Sequence, residues 1–267
     1  MRFRALIVAF FAVCLGMFAA TQTALAVTPA GLTYDQVKNT GLADNCPSLV
    51  GDTSGSISVS SGQSIVDLCM HPTSFYVKEE PKNARREAEF VTANVMTRFT
   101  TTLESVSGPL SSSGSGLTFT EKDGIDFQAI TVQIPNGERV PMLFTVKQLV
   151  AEASGSSIEP GTAFEGQYTV PSYRTSNFLD PKGRGVAAGY DNAVAIPAGA
   201  DADELNRANA KRFDVSKGEI ALNVSAVDSE TGEFTGTFAS EQFADSDLGA
   251  VDPLEVRIEG IVYGRVE

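Results

Sequence analysis

From Ser74 onward, apolar and polar side chains alternate in runs that change character at turn residues. Phe75 and Val77, then Phe90, Val91, Val95, Met96 and Phe99, fall in β-branched and aromatic stretches, and Leu117-Thr118-Phe119-Thr120 leads to the turn dipeptide Asp123-Gly124. Phe127 to Ile134 reads as another strand, closed by Asn136-Gly137, the strongest short hairpin signal in the chain. Its partner follows at once, with Val140, Met142, Phe144 and Val146 alternating with Pro141, Leu143, Thr145 and Lys147. Ile220, Leu222 and Val224 repeat the pattern, and Glu230-Thr231-Gly232 turns the chain into Phe234, Gly236 and Phe238. The last strand puts Leu254, Val256, Ile258, Gly260, Val262 and Val266 on one face and Glu255, Arg257, Glu259, Tyr263, Arg265 and Glu267 on the other. A period of two with one apolar side means sheets that are buried on one face and wet on the other.

Eight or so antiparallel strands, one-sided burial, a buried terminal strand and inward glycines predict an all-β fold, an eight-stranded antiparallel up-and-down barrel over residues 74–267. The regularity breaks between Tyr168 and Phe213, where Pro171, Pro181 and Pro197 interrupt any strand and Asp201 to Lys211 reads as a short helix. This insertion, 168–213, is too long for an idle connection and is the first place to look for function. Ahead of the barrel, 27–73 forms an N-terminal segment, in which Leu32 to Leu42 suits a short helical turn and Gly51 to Gly62 a Ser/Gly-rich exposed loop.

The first 26 residues have the pattern of a signal peptide: Arg2 and Arg4, an apolar stretch from Ala5 to Ala20, then Ala24-Leu25-Ala26 as a cleavage site. Cys14 would leave with it, so the exported chain keeps Cys46 and Cys69 in an oxidising compartment, where one disulfide is the expected outcome. Closing that loop of about 24 residues is worth roughly 3 kcal/mol in the chain-entropy picture.

Charge and composition narrow the chemistry. Twenty Lys and Arg against 33 Asp and Glu give a net charge of -13, which repels phosphate backbones, so no nucleic acid is expected as a partner and a basic protein surface is. One His excludes a three-imidazole zinc site. That residue, His71, suits an ordinary strand position beside Cys69 and Pro72. Gly183-Arg184-Gly185-Val186-Ala187-Ala188 matches a dinucleotide fingerprint in letters only, because Leu179-Asp180-Pro181-Lys182 precedes it instead of a buried strand. Asp52-Thr53-Ser54-Gly55 echoes an aspartic-protease loop, but the second copy that chemistry needs is missing. Asp245, Asp247 and Asp252 gather around Gly249 between two strands, leaving three readings: a solvated loop, a weak calcium site, or carboxylates on a water network that accept protons from a partner.

Several runs resemble the manganese-stabilising protein family of photosystem II in its cyanobacterial form. Leu32-Thr33-Tyr34-Asp35, Asn45-Cys46-Pro47, Pro72-Thr73-Ser74-Phe75 and Val77-Lys78-Glu79-Glu80 carry it in the N-terminal third. Asp123-Gly124-Ile125-Asp126-Phe127-Gln128, Gly137-Glu138-Arg139-Val140-Pro141 and Leu143-Phe144-Thr145-Val146-Lys147 carry it in the middle. The most specific run is Val170-Pro171-Ser172-Tyr173-Arg174-Thr175-Ser176, continuing through Phe178-Leu179-Asp180-Pro181-Lys182-Gly183-Arg184-Gly185 to Gly189-Tyr190-Asp191-Asn192-Ala193. The resemblance implies an eight-stranded barrel with its insertion between the fifth and sixth strands, one disulfide near the N-terminus, and residence in the thylakoid lumen. It implies a non-catalytic extrinsic subunit, held peripherally on the lumenal membrane face by contacts with photosystem II core reaction-centre and antenna subunits and other extrinsic subunits. No cofactor is then expected on the chain itself; it supports the manganese/calcium cluster of the partner complex and the retention of its ions. By the same resemblance Tyr173, Arg174, Asp180, Lys182 and Arg184 belong to the docking insertion, Asp245 and Asp247 face proton and water channels, and the Val50 to Gly62 loop matches an addition that reaches a neighbouring monomer.

Two other classes compete. An exported lipocalin-like carrier would use the barrel interior, but inward Phe144, Leu222, Phe234, Phe238 and Ile258 would fill a small barrel. An enzyme such as a lumenal carbonic anhydrase lacks the imidazoles for the usual zinc chemistry.

Overall fold

The computed structural model describes residues 36, 40, 45–49, 55–79, 87–98, 100–113, 116–171, 215–244 and 253–267. The chain divides into two units, Met1–Leu42 and Ala43–Glu267, and every described strand belongs to the second. The segment 1–26, the helix expected over 201–211 and all of the insertion past Pro171 lie outside the described residues.

In chain order the described strands are β1 (Ile57–Ser58), β2 (Ser64–Glu79), β3 (Glu89–Val95), β4 (Leu103–Ser113), β5 (Gly116–Thr120), β6 (Asp123–Ile125) and β7 (Phe127–Gln133). They continue as β8 (Arg139–Thr145), β9 (Val150–Ser154), β10 (Ser157–Ile158), β11 (Ala163–Val170), β12 (Ser216–Asp228), β13 (Glu233–Ala244) and β14 (Leu254–Val266). Eight of them, β2, β4, β5, β9, β11, β12, β13 and β14, pair antiparallel in that order, and β14 closes on β2 from Val256↔Val77 to Val266↔Ile65. Closure leaves the barrel no free edge, as the one-sided alternation predicts. β11 and β12 are its fifth and sixth strands, so the long insertion falls where the resemblance puts it.

The inward row of β14 is the expected one: Val256, Ile258, Gly260, Val262 and Val266 are buried. Gly264 joins them because a Cβ there would come within 2.6 Å of the Phe234 ring. Small positions opposite aromatic rings let a narrow barrel fill without voids. Tyr263 is a correction. Placed on the wet face by the alternation, it is 5% exposed and donates from Oη to Glu233 Oε1 at 2.6 Å. Its cross-strand neighbour is Cys69, which is bonded to Cys46.

The eight-strand count holds, but three of the strands read from the pattern are not staves. β2 is 16 residues long and runs past the barrel; its Phe75–Glu79 half pairs with β3, β3 pairs with β7, and β7 pairs with β8 across the Asn136-Gly137 turn. The barrel instead takes β4, β9 and β11. Alternation reports a buried face and not the partner that buries it. β2 also begins at Ser64, well ahead of Ser74; a bulge between Ile65 and Leu68, with Asp67 at φ 53°, breaks the period there and hides this half from the alternation.

The side sheet stoppers one mouth of the barrel. The Phe144 ring of β8 stacks on inward Phe238 at 5.7 Å, and Gln242 Nε2 donates to Leu143 O at 2.7 Å. Near the opposite end, the small β1–β10 ribbon buries Ile57 and Ile158.

Candidate functional site

Of the sequence-selected residues, Tyr173, Arg174, Asp180, Lys182 and Arg184 lie outside the described residues, as do Asp245 and Asp247. The strands that launch these two segments are described, and they leave from the same end of the barrel. Val170 pairs with Ser216 where the insertion departs and returns, and Ala244 pairs with Leu254 across the acidic loop. One continuous row of neighbours, Gln167↔Glu219↔Glu241↔Arg257↔Tyr76, runs just below both.

On the outer surface of this end, charges interlock. Glu241 Oε1 receives Arg257 Nη2 at 2.7 Å, Lys78 Nζ lies 2.6 Å from Glu255 Oε2, and the Arg257 guanidinium sits 4.5 Å from the centre of the Phe90 ring. Pairs this exposed are worth about 0–1 kcal/mol, so they order the surface more than they stabilise the fold. Val215 and Phe243 are 59% and 41% exposed beside them, apolar side chains left open next to the two segments.

Inside the same end, Tyr168 Oη lies 2.6 Å from Ser240 Oγ and donates to Gln242 Oε1 at 3.1 Å. Burial pushes the Tyr168 hydroxyl well above the usual phenol range, so it keeps its proton. With Gln242 donating to Leu143 O, these groups rivet β8 to the barrel wall beneath the insertion.

A second polar cluster was not found by motif or spacing. Glu121 is buried, and its Oε2 accepts from Gln148 N at 2.6 Å; Asp126 Oδ2 lies 3.1 Å from Lys147 Nζ. Desolvation raises the Glu121 carboxyl above its ordinary value, and the nearby Asp126 charge adds to the shift. The turn carrying Lys147 and Gln148 is tied to the end of β11 by Thr169 N donating to Lys147 O at 2.8 Å. Asp126 and Lys147 stand inside runs that carry the resemblance, and Glu121 directly follows an apolar strand, but nothing local says that the three meet.

Cys46 and Cys69 are bonded, with Cα atoms 5.6 Å apart, as the compartment argument predicts. His71 Nδ1 is 3.0 Å from Thr102 Oγ1, a side-chain hydrogen bond from β2 to the residue just before β4. Among the described residues no group of three or more His, Cys, Asp or Glu side chains could hold a metal ion. Phe144, Leu222, Phe234, Phe238 and Ile258 are all buried, and the barrel interior keeps a cavity of about 10 Å³ lined by groups such as Leu68, Phe119 and Phe164. That is about one water in size, so the carrier reading is not favoured.

Residues 30–266 match the family described as manganese-stabilising protein / photosystem II polypeptide. The photosystem II extrinsic protein O of Nostoc sp. is 56% identical over 273 residues, covering 100% of both chains. That of Thermosynechococcus vestitus is 52% identical over 272 residues, covering 100% of this chain and 99% of its own. The chloroplastic oxygen-evolving enhancer protein 1 of Chattonella marina var. antiqua is 50% identical over 243 residues, covering 88% of this chain and 76% of its own.

Proposed function

Because the chain belongs to the manganese-stabilising protein family of photosystem II, we propose that it is the extrinsic, non-catalytic subunit that shields the oxygen-evolving manganese/calcium cluster from the lumenal side. The observation that carries this reading is full-length kinship with photosystem II extrinsic proteins, joined to a closed barrel whose described inward side chains are buried against one another. The chain acts by being rigid: a filled barrel fixes where its loops emerge, and prearranged loops spend little ordering entropy on docking.

The finer assignments rest on side-chain chemistry. Arg174, Lys182 and Arg184, with Tyr173 just ahead of them and Asp180 among them, supply guanidinium, ammonium and phenol donors for carboxylates and carbonyls of core reaction-centre and antenna subunits. Asp245 and Asp247 accept protons or hold waters along an exit path from the cluster. In support, both segments spring from one end of the barrel, so a single docking face engages both. The chain holds no manganese of its own in this reading; it works from the thylakoid lumen through protein contacts and helps the partner complex keep manganese, calcium and chloride.

The test is a strain lacking the gene, assayed for oxygen evolution in light at low calcium and chloride. Loss of activity that is restored by returning the full chain supports the proposal. Unchanged oxygen evolution and manganese content at low ion supply would overturn it.

A further inference from the structure

We propose that Asn136, at the tip of the β7–β8 hairpin, is a site of spontaneous deamidation in the folded protein and that its conversion loosens the side sheet from the end of β2. The attacking atom in this chemistry is the backbone nitrogen of the following residue, and its target is the side-chain carbonyl carbon. Residues 135–139 are all exposed. Gly137, at φ 93°, has nothing within 4 Å of where a Cβ would stand, so no side chain shields its nitrogen. Asn136 Oδ1 accepts the Glu138 N–H at 2.7 Å, a donor aimed at the oxygen that gains negative charge on attack. The leaving nitrogen, Nδ2, faces Glu79 Oε1 at 3.1 Å.

The Gly137 nitrogen bonds to Asn136 Cγ and gives its proton to solvent. The Cγ–Nδ2 bond breaks, and the nitrogen takes up a proton and leaves as ammonia. Water then opens the five-membered imide at either carbonyl, giving aspartate or isoaspartate; one water is consumed, one ammonia is released, and nothing is oxidised. Gly137 N–H donates to Ile134 O at 2.9 Å in the resting turn, so fraying of the hairpin tip sets the rate.

The consequence lies at Glu79. The Asn136 amide is a donor there, whereas a carboxylate cannot donate and repels its neighbour. An attraction between the hairpin and the last residue of β2 becomes a repulsion, at the end of the barrel where the insertion and the acidic loop depart.

The full chain is incubated at mildly alkaline pH, digested with trypsin, and the peptide Asp123–Arg139 followed by fragment mass spectrometry with enzymatic isoaspartate labelling. Asp123-Gly124 in the same peptide can isomerise but gains no mass, so a one-dalton gain located at Asn136 reports this reaction alone. The expected result is that Asn136 converts ahead of Asn94 and Asn223, that N136Q abolishes the signal, and that N136D shows several-fold faster amide hydrogen exchange over Lys78 and Glu79 with β12 and β13 unchanged. If Asn136 stays intact while a free peptide of the same sequence converts fully, the fold protects the site and the proposal fails. Exchange in N136D equal to that of the parent would overturn the loosening.

Discussion

Tyr168 carries a hydroxyl deep in the barrel, and its partners Ser240 and Gln242 are buried with it. Tyr168→Phe strands Ser240 Oγ and Gln242 Oε1 in an apolar mouth. The expected loss is about 1–3 kcal/mol of stability, read as a lower urea midpoint with an unchanged slope. Glu121 makes a pH-dependent prediction. Burial raises its carboxyl above 4.5, so the folded chain binds that proton more tightly than the unfolded one. The stabilisation from this group is therefore present at low pH and is lost as pH rises through the raised value. Glu121→Gln should flatten that part of the stability profile from about pH 4.5 upward. Urea midpoints of the two proteins across the window decide it: parallel curves would mean that Glu121 ionises no differently in the folded state.

At the scale of elements, β2 is the strand on which most else depends, since it closes the barrel against β14, pairs with β4 along its first half and starts the side sheet with its second. The disulfide is anchored on this strand. Replacing Cys46 and Cys69 together with Ser should cost roughly 2–5 kcal/mol, because the unfolded chain regains the freedom the loop had removed. Its far-UV spectrum without denaturant should stay that of a β protein, since neither cysteine belongs to the apolar cluster that fills the barrel. Thiol titration of the denatured, unreduced chain from Val27 onward should find no free thiol; two would contradict the bond.

For the whole molecule, the barrel acts as a mount. Insertion and acidic loop leave one end, so changes there should alter docking and ion retention while the barrel unfolds as before. Arg174→Ala or Arg184→Ala is expected to weaken reconstitution with salt-washed photosystem II membranes, with a deficit relative to the parent that is largest at low salt and shrinks as salt screens the contact, and with thermal unfolding nearly unchanged. Asp247→Asn keeps size and most hydrogen bonding but removes a charge, so binding should persist while the rate or pH profile of oxygen evolution shifts. An unaltered profile at full occupancy would mean that the loop is merely solvated.

Much of this protein was determined by its sequence alone. Alternation along β14 and β12 names the inward residues without reference to any partner, because side-chain direction in a strand depends only on the local backbone. The Asn136-Gly137 turn and the Cys46–Cys69 pair are equally local or compositional. Tertiary structure alone decided which strands are staves, since Phe144 reads the same whether it faces a barrel interior from the wall or, as here, from a stopper across the mouth. It also decided that Tyr263 is covered and that Glu121, Asp126 and Lys147 meet, because such facts belong to segments far apart in the chain. The insertion and the acidic loop, separated by all of β12 and β13, share an end for the same reason: two antiparallel strands between them return the chain to where it began.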